Sequence, residues 1–207
     1  TLRSWDLRQK KQAALVELKT PATVVAVSNN SELIATAHAK HIRLWNAKTG
    51  KAAGNWPIDA PVLCATFSAD GKHLFTGDKG GAVRVWDVAA QRQISLTPCG
   101  QQPLTAIRAS GDGKHLAVGN EQGEVWWFGA GNLAKDRLQV TAQFTGVSDG
   151  KVSSLNFTPE ADMLFTGSHR GSATVYDRAG KTIRLRCVPL HIAPARSIFL
   201  ARYERIA

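Results

Sequence analysis

The chain has 207 residues, 43% of them apolar and 20% charged, with a formal net charge of +10. No run approaches the ~20 apolar residues that a membrane-spanning helix needs, which excludes that class. The basic balance permits contact with polyanions without establishing it. No signal-peptide pattern opens the chain; it begins at Thr1 and its one methionine is Met163, so it reads as cut from a longer protein. Cys64, Cys99 and Cys187 stand far apart with no Cys-x-x-Cys pair. That spacing argues against a disulfide framework and a zinc site, and for buried thiols in a reducing, cytoplasmic compartment.

Taken in chain order, the sequence repeats. Thr1–Leu18 reads as two short strands around the dipeptide Trp5-Asp6. The stretch 24–50 is a weak copy of a longer unit that is clearest at 62–89. There, "VLCATFS" reads as a first strand, "SADGK" as a turn, "HLFTG" as a second strand and "DKGG" as a tight turn. "AVRVWDV" follows as a third strand, with Val83 and Val85 on one face and Arg84 and Trp86 on the other. "QRQISL" is a fourth. The stretches 104–130 and 152–179 repeat this layout, and "DGKHL" occurs in two units, at Asp70–Leu74 and Asp112–Leu116. Each unit carries an aromatic near its end: Trp5, Trp45, Trp86, Phe128 and Tyr176, spaced 40, 41, 42 and 48 residues apart. Ile192–Ala207 lies over Asp59–Leu74, with Pro194 on Pro61 and Leu200 on Phe67, and reads as a first and second strand; the alternative is a helix over Arg196–Ile206, with Phe199, Tyr203 and Ile206 on one face.

Period, strand layout and Trp-Asp endings together resemble the WD-repeat β-propeller family, in which each unit is one blade of four antiparallel strands, a to d. The resemblance implies an all-β chain with a part-blade at 1–18, blades at about 20–57, 58–97, 101–146 and 149–188, and a part-blade at 192–207. The resemblance also implies a ring of about seven blades, closed by one blade shared between the termini. The chain therefore reads as an incomplete ring, to be covered by missing blades, another subunit or a partner. The alternative is that its two part-blades pair and close five blades.

In many WD blades a His before strand a, a Ser or Thr on strand b, an Asp in the b–c turn and the strand-c Trp share a buried hydrogen-bond network. Thr76, Thr166 and Trp86 match that pattern, but no blade has the Gly-His pair, and Gly80, Gln122 and Arg170 stand where the Asp is expected. This departure implies blades held by apolar packing, with looser turns. Trp5, Trp45 and Trp86 are expected in the core. The run Trp126-Trp127-Phe128 alternates faces and is expected to be buried between two blades.

Nothing in the sequence is an activated nucleophile or a phosphate loop, so no enzyme and no cofactor are expected. His73 and His115 recur at one blade position, as structural residues do. His38 and His41 are expected to diverge across a turn and to bind no metal.

The expected function is that of a non-catalytic protein-interaction scaffold. In the family, partners dock on the d–a loops and b–c turns. Here these would carry Lys40, Asp59, Lys79, Gln101, Gln122, Lys151, His169 and Arg170, a basic-leaning face suited to an acidic partner. One alternative is nucleic-acid or polyanion binding through Arg184, Arg186, Arg196, Arg202 and Arg205 of the basic C-terminal segment. Another is that the chain forms the sensor region of a larger kinase or NTPase.

Overall fold

The computed structural model describes residues 1–39, 41–131, 138–145, 150–177 and 182–183. Within them the chain is all-β and built as consecutive antiparallel meanders. The first is a two-stranded sheet, β1 (Leu2–Asp6) with β2 (Lys11–Val16). Four four-stranded sheets follow. The first comprises β3 (Val24–Val27), β4 (Leu33–Ala37), β5 (His41–Asn46) and β6 (Ala52–Pro57). The second comprises β7 (Val62–Phe67), β8 (His73–Asp78), β9 (Ala82–Asp87) and β10 (Arg92–Pro98). The third comprises β11 (Leu104–Ala109), β12 (His115–Asn120), β13 (Val125–Gly129) and β14 (Gln139–Phe144). The fourth comprises β15 (Val152–Phe157), β16 (Met163–Ser168), β17 (Ala173–Asp177) and β18 (Thr182–Ile183). First strands of successive sheets lie side by side: β3 against β7, β7 against β11 and β11 against β15. The sheets are blades of a propeller that is not closed among the described residues. The part-blade expected at Ile192–Ala207 lies outside them.

The repeated "DGKHL" is the a–b turn. Ser68 Oγ donates to Asp70 Oδ1 at 2.6 Å, Lys72 N–H donates to Asp70 Oδ1 at 3.0 Å, and His73 N–H donates to Ser68 Oγ at 3.0 Å. Gly71 takes φ +72°, which a glycine adopts without steric cost. Ser110, Asp112, Gly113 and His115 repeat the arrangement. All these bonds close within five residues, so the turn forms from its own sequence.

The core lies between sheets. Ile42, Leu44 and Trp56 of the first sheet pack on Val62, Phe67, Leu74 and Trp86 of the second. Phe75, Val83 and Val85 of the second pack on Leu104, Leu116, Val118, Trp126 and Phe128 of the third. Ala117, Val125, Trp127 and Phe144 of the third pack on Val152, Leu155, Leu164 and Tyr176 of the fourth. Trp126 and Phe128 thus enter one interface and Trp127 the other, and all three are buried, as the alternation predicts.

Innermost strands add one device. A register shift between Val62 and Cys64 turns these two residues to opposite interfaces, and the same shift recurs at Leu104/Ala106 and Val152/Ser154. Next to these shifts, the bulged Thr105 donates to Val152 O of the next blade at 2.6 Å, and Cys64 Sγ to Leu104 O at 3.5 Å. Gly119 lets this approach happen, since a Cβ there would lie 2.5 Å from Val152 Cγ1.

One core expectation fails. Trp45 and Trp86 are buried, but Trp5 is 57% exposed. Among the described residues its sheet has two strands, and no a–b pair lies beside β1. Leu15, Val25 and Val27 are exposed at the same end of the array.

Candidate protein-interaction face

In the second, third and fourth four-stranded sheets the b–c turn is pinned by the last residue of the second strand, two positions before the site where the family pattern expects Asp. Asp78 Oδ1 accepts from Gly80 N–H and Ala82 N–H, both at 2.9 Å. Asn120 Oδ1 accepts from Gln122 N–H at 3.0 Å and Glu124 N–H at 2.9 Å. Ser168 Oγ accepts from Ser172 N–H at 3.1 Å. The expectation of looser turns is therefore corrected: a short polar side chain at the end of strand b captures the turn amides that the missing Asp would have held.

The Trp–Thr part of the buried network also forms without the His. Trp86 Nε1 donates to Thr76 Oγ1 at 3.0 Å, and Trp45 Nε1 to Thr36 Oγ1 at 2.9 Å. Where the third sheet lacks the pair, both members are apolar, Val118 and Phe128. Burying neither donor nor acceptor costs less than burying one alone.

Backbone bonds tie these three turns to the loop before their blades. Lys79 N–H donates to Pro61 O at 2.9 Å, Glu121 N–H to Pro103 O at 3.0 Å and His169 N–H to Lys151 O at 3.0 Å. Gly81, at φ +84°, also sits against the following loop; a Cβ there would lie 2.7 Å from Gly100 O. The b–c turns and d–a loops of neighbouring blades thus share one end of the array. Lys79, Gln101, Gln122, Lys151, His169 and Arg170 are all exposed there. His169 and Arg170 both approach Gly150, beside Lys151. Lys40 lies outside the described residues, as do Arg184, Arg186, Arg196, Arg202 and Arg205.

Asp59 differs from the others. Its Oδ1 pairs with Arg84 Nη2 at 2.9 Å, while Arg84 Nε donates to Asp78 Oδ2 at 3.1 Å and Nη1 to Gln93 Oε1 at 3.0 Å. Arg84 is 8% exposed and Asp78 1%. Asp59 is nevertheless exposed and shares the single Arg84 cation with Asp78, and the exposed charges described at this end are Lys79, Lys151 and Arg170 against Glu121 and Asp59. Sequence reasoning missed Asp78, Asn120 and Arg84. The usable signal was a recurring polar residue, Asp, Asn or Ser, at the end of strand b.

His38 and His41 do not diverge as expected. Their rings stack with centroids 5.0 Å apart and planes at 28°. Among the described residues no three His, Cys, Asp or Glu side chains gather as metal ligands. Cys64 and Cys99 are buried free thiols, and burial pushes both up to about 12, so they remain protonated and unreactive at neutral pH. Cys187 lies outside the described residues. No described helix is long and apolar enough to cross a membrane.

The family described as WD domain, G-beta repeat matches residues 54–87 and 138–177. Each matched window runs from strand d of one blade through strands a to c of the next, so each sequence repeat joins two blades. The chain is 30% identical over 164 residues to eukaryotic translation initiation factor 3 subunit I of Emericella nidulans, covering 72% of this chain and 47% of that protein. It is 24% identical over 156 residues to the human angio-associated migratory cell protein, covering 70% of this chain and 36% of that one. The chain spans less than half the length of the curated relatives it matches, from 7% to 47%. Among solved structures, the computationally designed Ika4 protein superposes with a TM-score of 0.65 at 19% identity, over 79% of this chain and 95% of that one. That likeness concerns the fold alone. WD repeats indicate a protein–protein interaction scaffold, and the family is typically non-catalytic. By its repeats, its strand-c aromatics and its stacked four-stranded sheets, the chain belongs to the WD-repeat family of β-propeller proteins.

Proposed function

We propose that the end carrying the b–c turns and d–a loops docks an acidic segment of a partner protein, and that the chain acts there without catalysis. The observation that carries this reading is the charge at that end. Lys79, Lys151 and Arg170 are exposed on hydrogen-bonded turns and loops and outnumber the exposed acids Glu121 and Asp59, the latter held at Oδ1 by Arg84. Charge complementarity speeds encounter with an acidic segment. The test is binding to an immobilised Asp/Glu-rich peptide, followed across a salt series. Affinity is expected to fall as salt rises, because exposed charges are screened beyond ~8–10 Å. The double variant Lys79→Glu, Arg170→Glu is expected to lose most of that affinity while keeping its melting temperature. Unchanged affinity would remove this face from consideration. Retention on heparin to high salt, unaffected by that variant, would instead favour polyanion binding through the C-terminal arginines.

A further inference from the structure

Among the described residues Arg84 is the one lysine or arginine that is buried, with 9% of its side chain exposed. Its guanidinium carries five N–H donors and no acceptor. Three donors are engaged: Nε–H donates to Asp78 Oδ2, Nη1–H to Gln93 Oε1 and Nη2–H to Asp59 Oδ1. The two acids are held very differently. Asp78 is 1% exposed, and its Oδ1 accepts from Gly80 N–H and Ala82 N–H, so its own turn fixes it. The Asp59 side chain is 77% exposed, and Arg84 is its one polar contact among the described residues. Two carboxylates thus share one buried cation, and one of the two stands at the surface.

The guanidinium also lines an open groove of about 610 Å³ between β6 of the first four-stranded sheet and β9 and β10 of the second. The stacked Trp56 and Trp86 rings lie along it, and Arg92 is exposed at its rim. Two contacts bridge the sheets there: the Asp59–Arg84 pair, and Gln91 Nε2–H donating to Ala53 O at 3.1 Å. Arg84 and Arg92 are the cations of the lining and Asp59 is its acid. Even with Asp78 counted behind Arg84, taking Asp59 away leaves the groove net positive. An exposed ion pair contributes little, because water competes for both partners. Asp59 is tethered to its loop and meets Arg84 through Oδ1 alone. A carboxylate free of that loop can accept two guanidinium N–H bonds side by side, the stronger arrangement.

We propose that Arg84 is the anchor for a carboxylate of the docked acidic segment, and that Asp59 holds that place in the free protein until the incoming carboxylate displaces it. The anchor rests on the docking reading given under Proposed function and names its most deeply held contact. The exchange conserves charge, since one carboxylate leaves the guanidinium and one arrives. The Nε–H bond to Asp78 stays, so the turn that carries Lys79 keeps its hydrogen bonds. Arg92 at the rim favours a segment with a second acid close to the first.

Binding of the immobilised Asp/Glu-rich peptide to the full chain tests the anchor through Asp59→Ala and Glu121→Ala. Each removes one exposed acid from the same end, so both change the net charge equally. Only Asp59→Ala vacates Arg84, and it leaves the pair with Asp78 in place. Asp59→Ala is expected to bind about three- to fivefold tighter, the scale of one released exposed pair, and Glu121→Ala to change by less than about twofold. Both variants are expected to keep their melting temperature. In the unsubstituted protein, the guanidinium nitrogen resonances of Arg84 are expected to shift as peptide is added. Equal tightening in the two variants would mean that overall charge alone matters; it would overturn the anchor and leave the docking face standing. Weaker binding by Asp59→Ala, or Arg84 resonances unmoved at saturating peptide, would overturn the anchor in the same way. No binding by any of the three proteins would remove the docking reading, and the anchor with it.

Discussion

The sequence Arg-x-Trp-Asp occurs twice on a third strand, at Arg3–Asp6 of β1 and at Arg84–Asp87 of β9. The two copies share one role and differ in two. Asp6 Oδ1 accepts from Arg8 N–H at 2.9 Å and Gln9 N–H at 3.0 Å, and Asp87 Oδ1 accepts from Ala90 N–H at 2.8 Å. Both aspartates cap the c–d turn beside them. Trp86 is 4% exposed, stacks on Trp56 at 5.5 Å and donates to Thr76, whereas Trp5 is 57% exposed. Arg84 is buried among Asp59, Asp78 and Gln93, whereas Arg3 is exposed. The aspartate acts within its own turn. The tryptophan and arginine depend on strands a and b and on the preceding blade, which β9 has and which β1 lacks among the described residues.

Substituting the paired positions sharpens the contrast. Trp86→Ala should cost about 3–5 kcal/mol, because it empties a packed interface and strips Trp56 of its stacking partner. Trp5→Ala should stay within about 0.5 kcal/mol, the range of ordinary surface changes. Chemical denaturation of both variants checks the pair, and equal losses would mean that β1 is covered in solution. Arg84→Met should also cost about 3–5 kcal/mol, since it leaves the buried Asp78 carboxylate uncompensated. Arg3→Met is expected to be near neutral in the same measurement. Thr76→Val should cost about 1–3 kcal/mol by orphaning the Trp86 N–H. Adding Trp86→Phe to it recreates the Val118–Phe128 pair of the third blade and removes the orphaned donor. The two changes should then be non-additive in a double-mutant cycle; strict additivity would show that the bond contributes nothing.

Much of the fold was legible because its signals are local. The "DGKHL" turns close through Ser68, Asp70 and Lys72 within five residues, and the same residues recur at Ser110, Asp112 and Lys114. Strand alternation placed Trp126 and Trp127 in separate interfaces before any contact was known. The candidate face was legible in position but not in charge. Asp59 reads as one acid among basic residues, and its pairing depends on Arg84, 25 residues further on, on β9. The turns were misread for a related reason. The family pattern directs attention to Gly80, Gln122 and Arg170, while the hydrogen bonds come from Asp78 and Asn120 two residues earlier.

By itself, the sequence determined the repeat, the strand boundaries, the a–b turns and the aspartate caps, because each rests on bonds or periodicity within a few residues. Tertiary structure decided which tryptophan is core, which arginine is paired, and that His38 and His41 face each other. Those outcomes depend on what the next sheet places against a side chain. A strand carries no record of its neighbour: with the same four-residue pattern, Trp5 meets solvent and Trp86 meets Trp56.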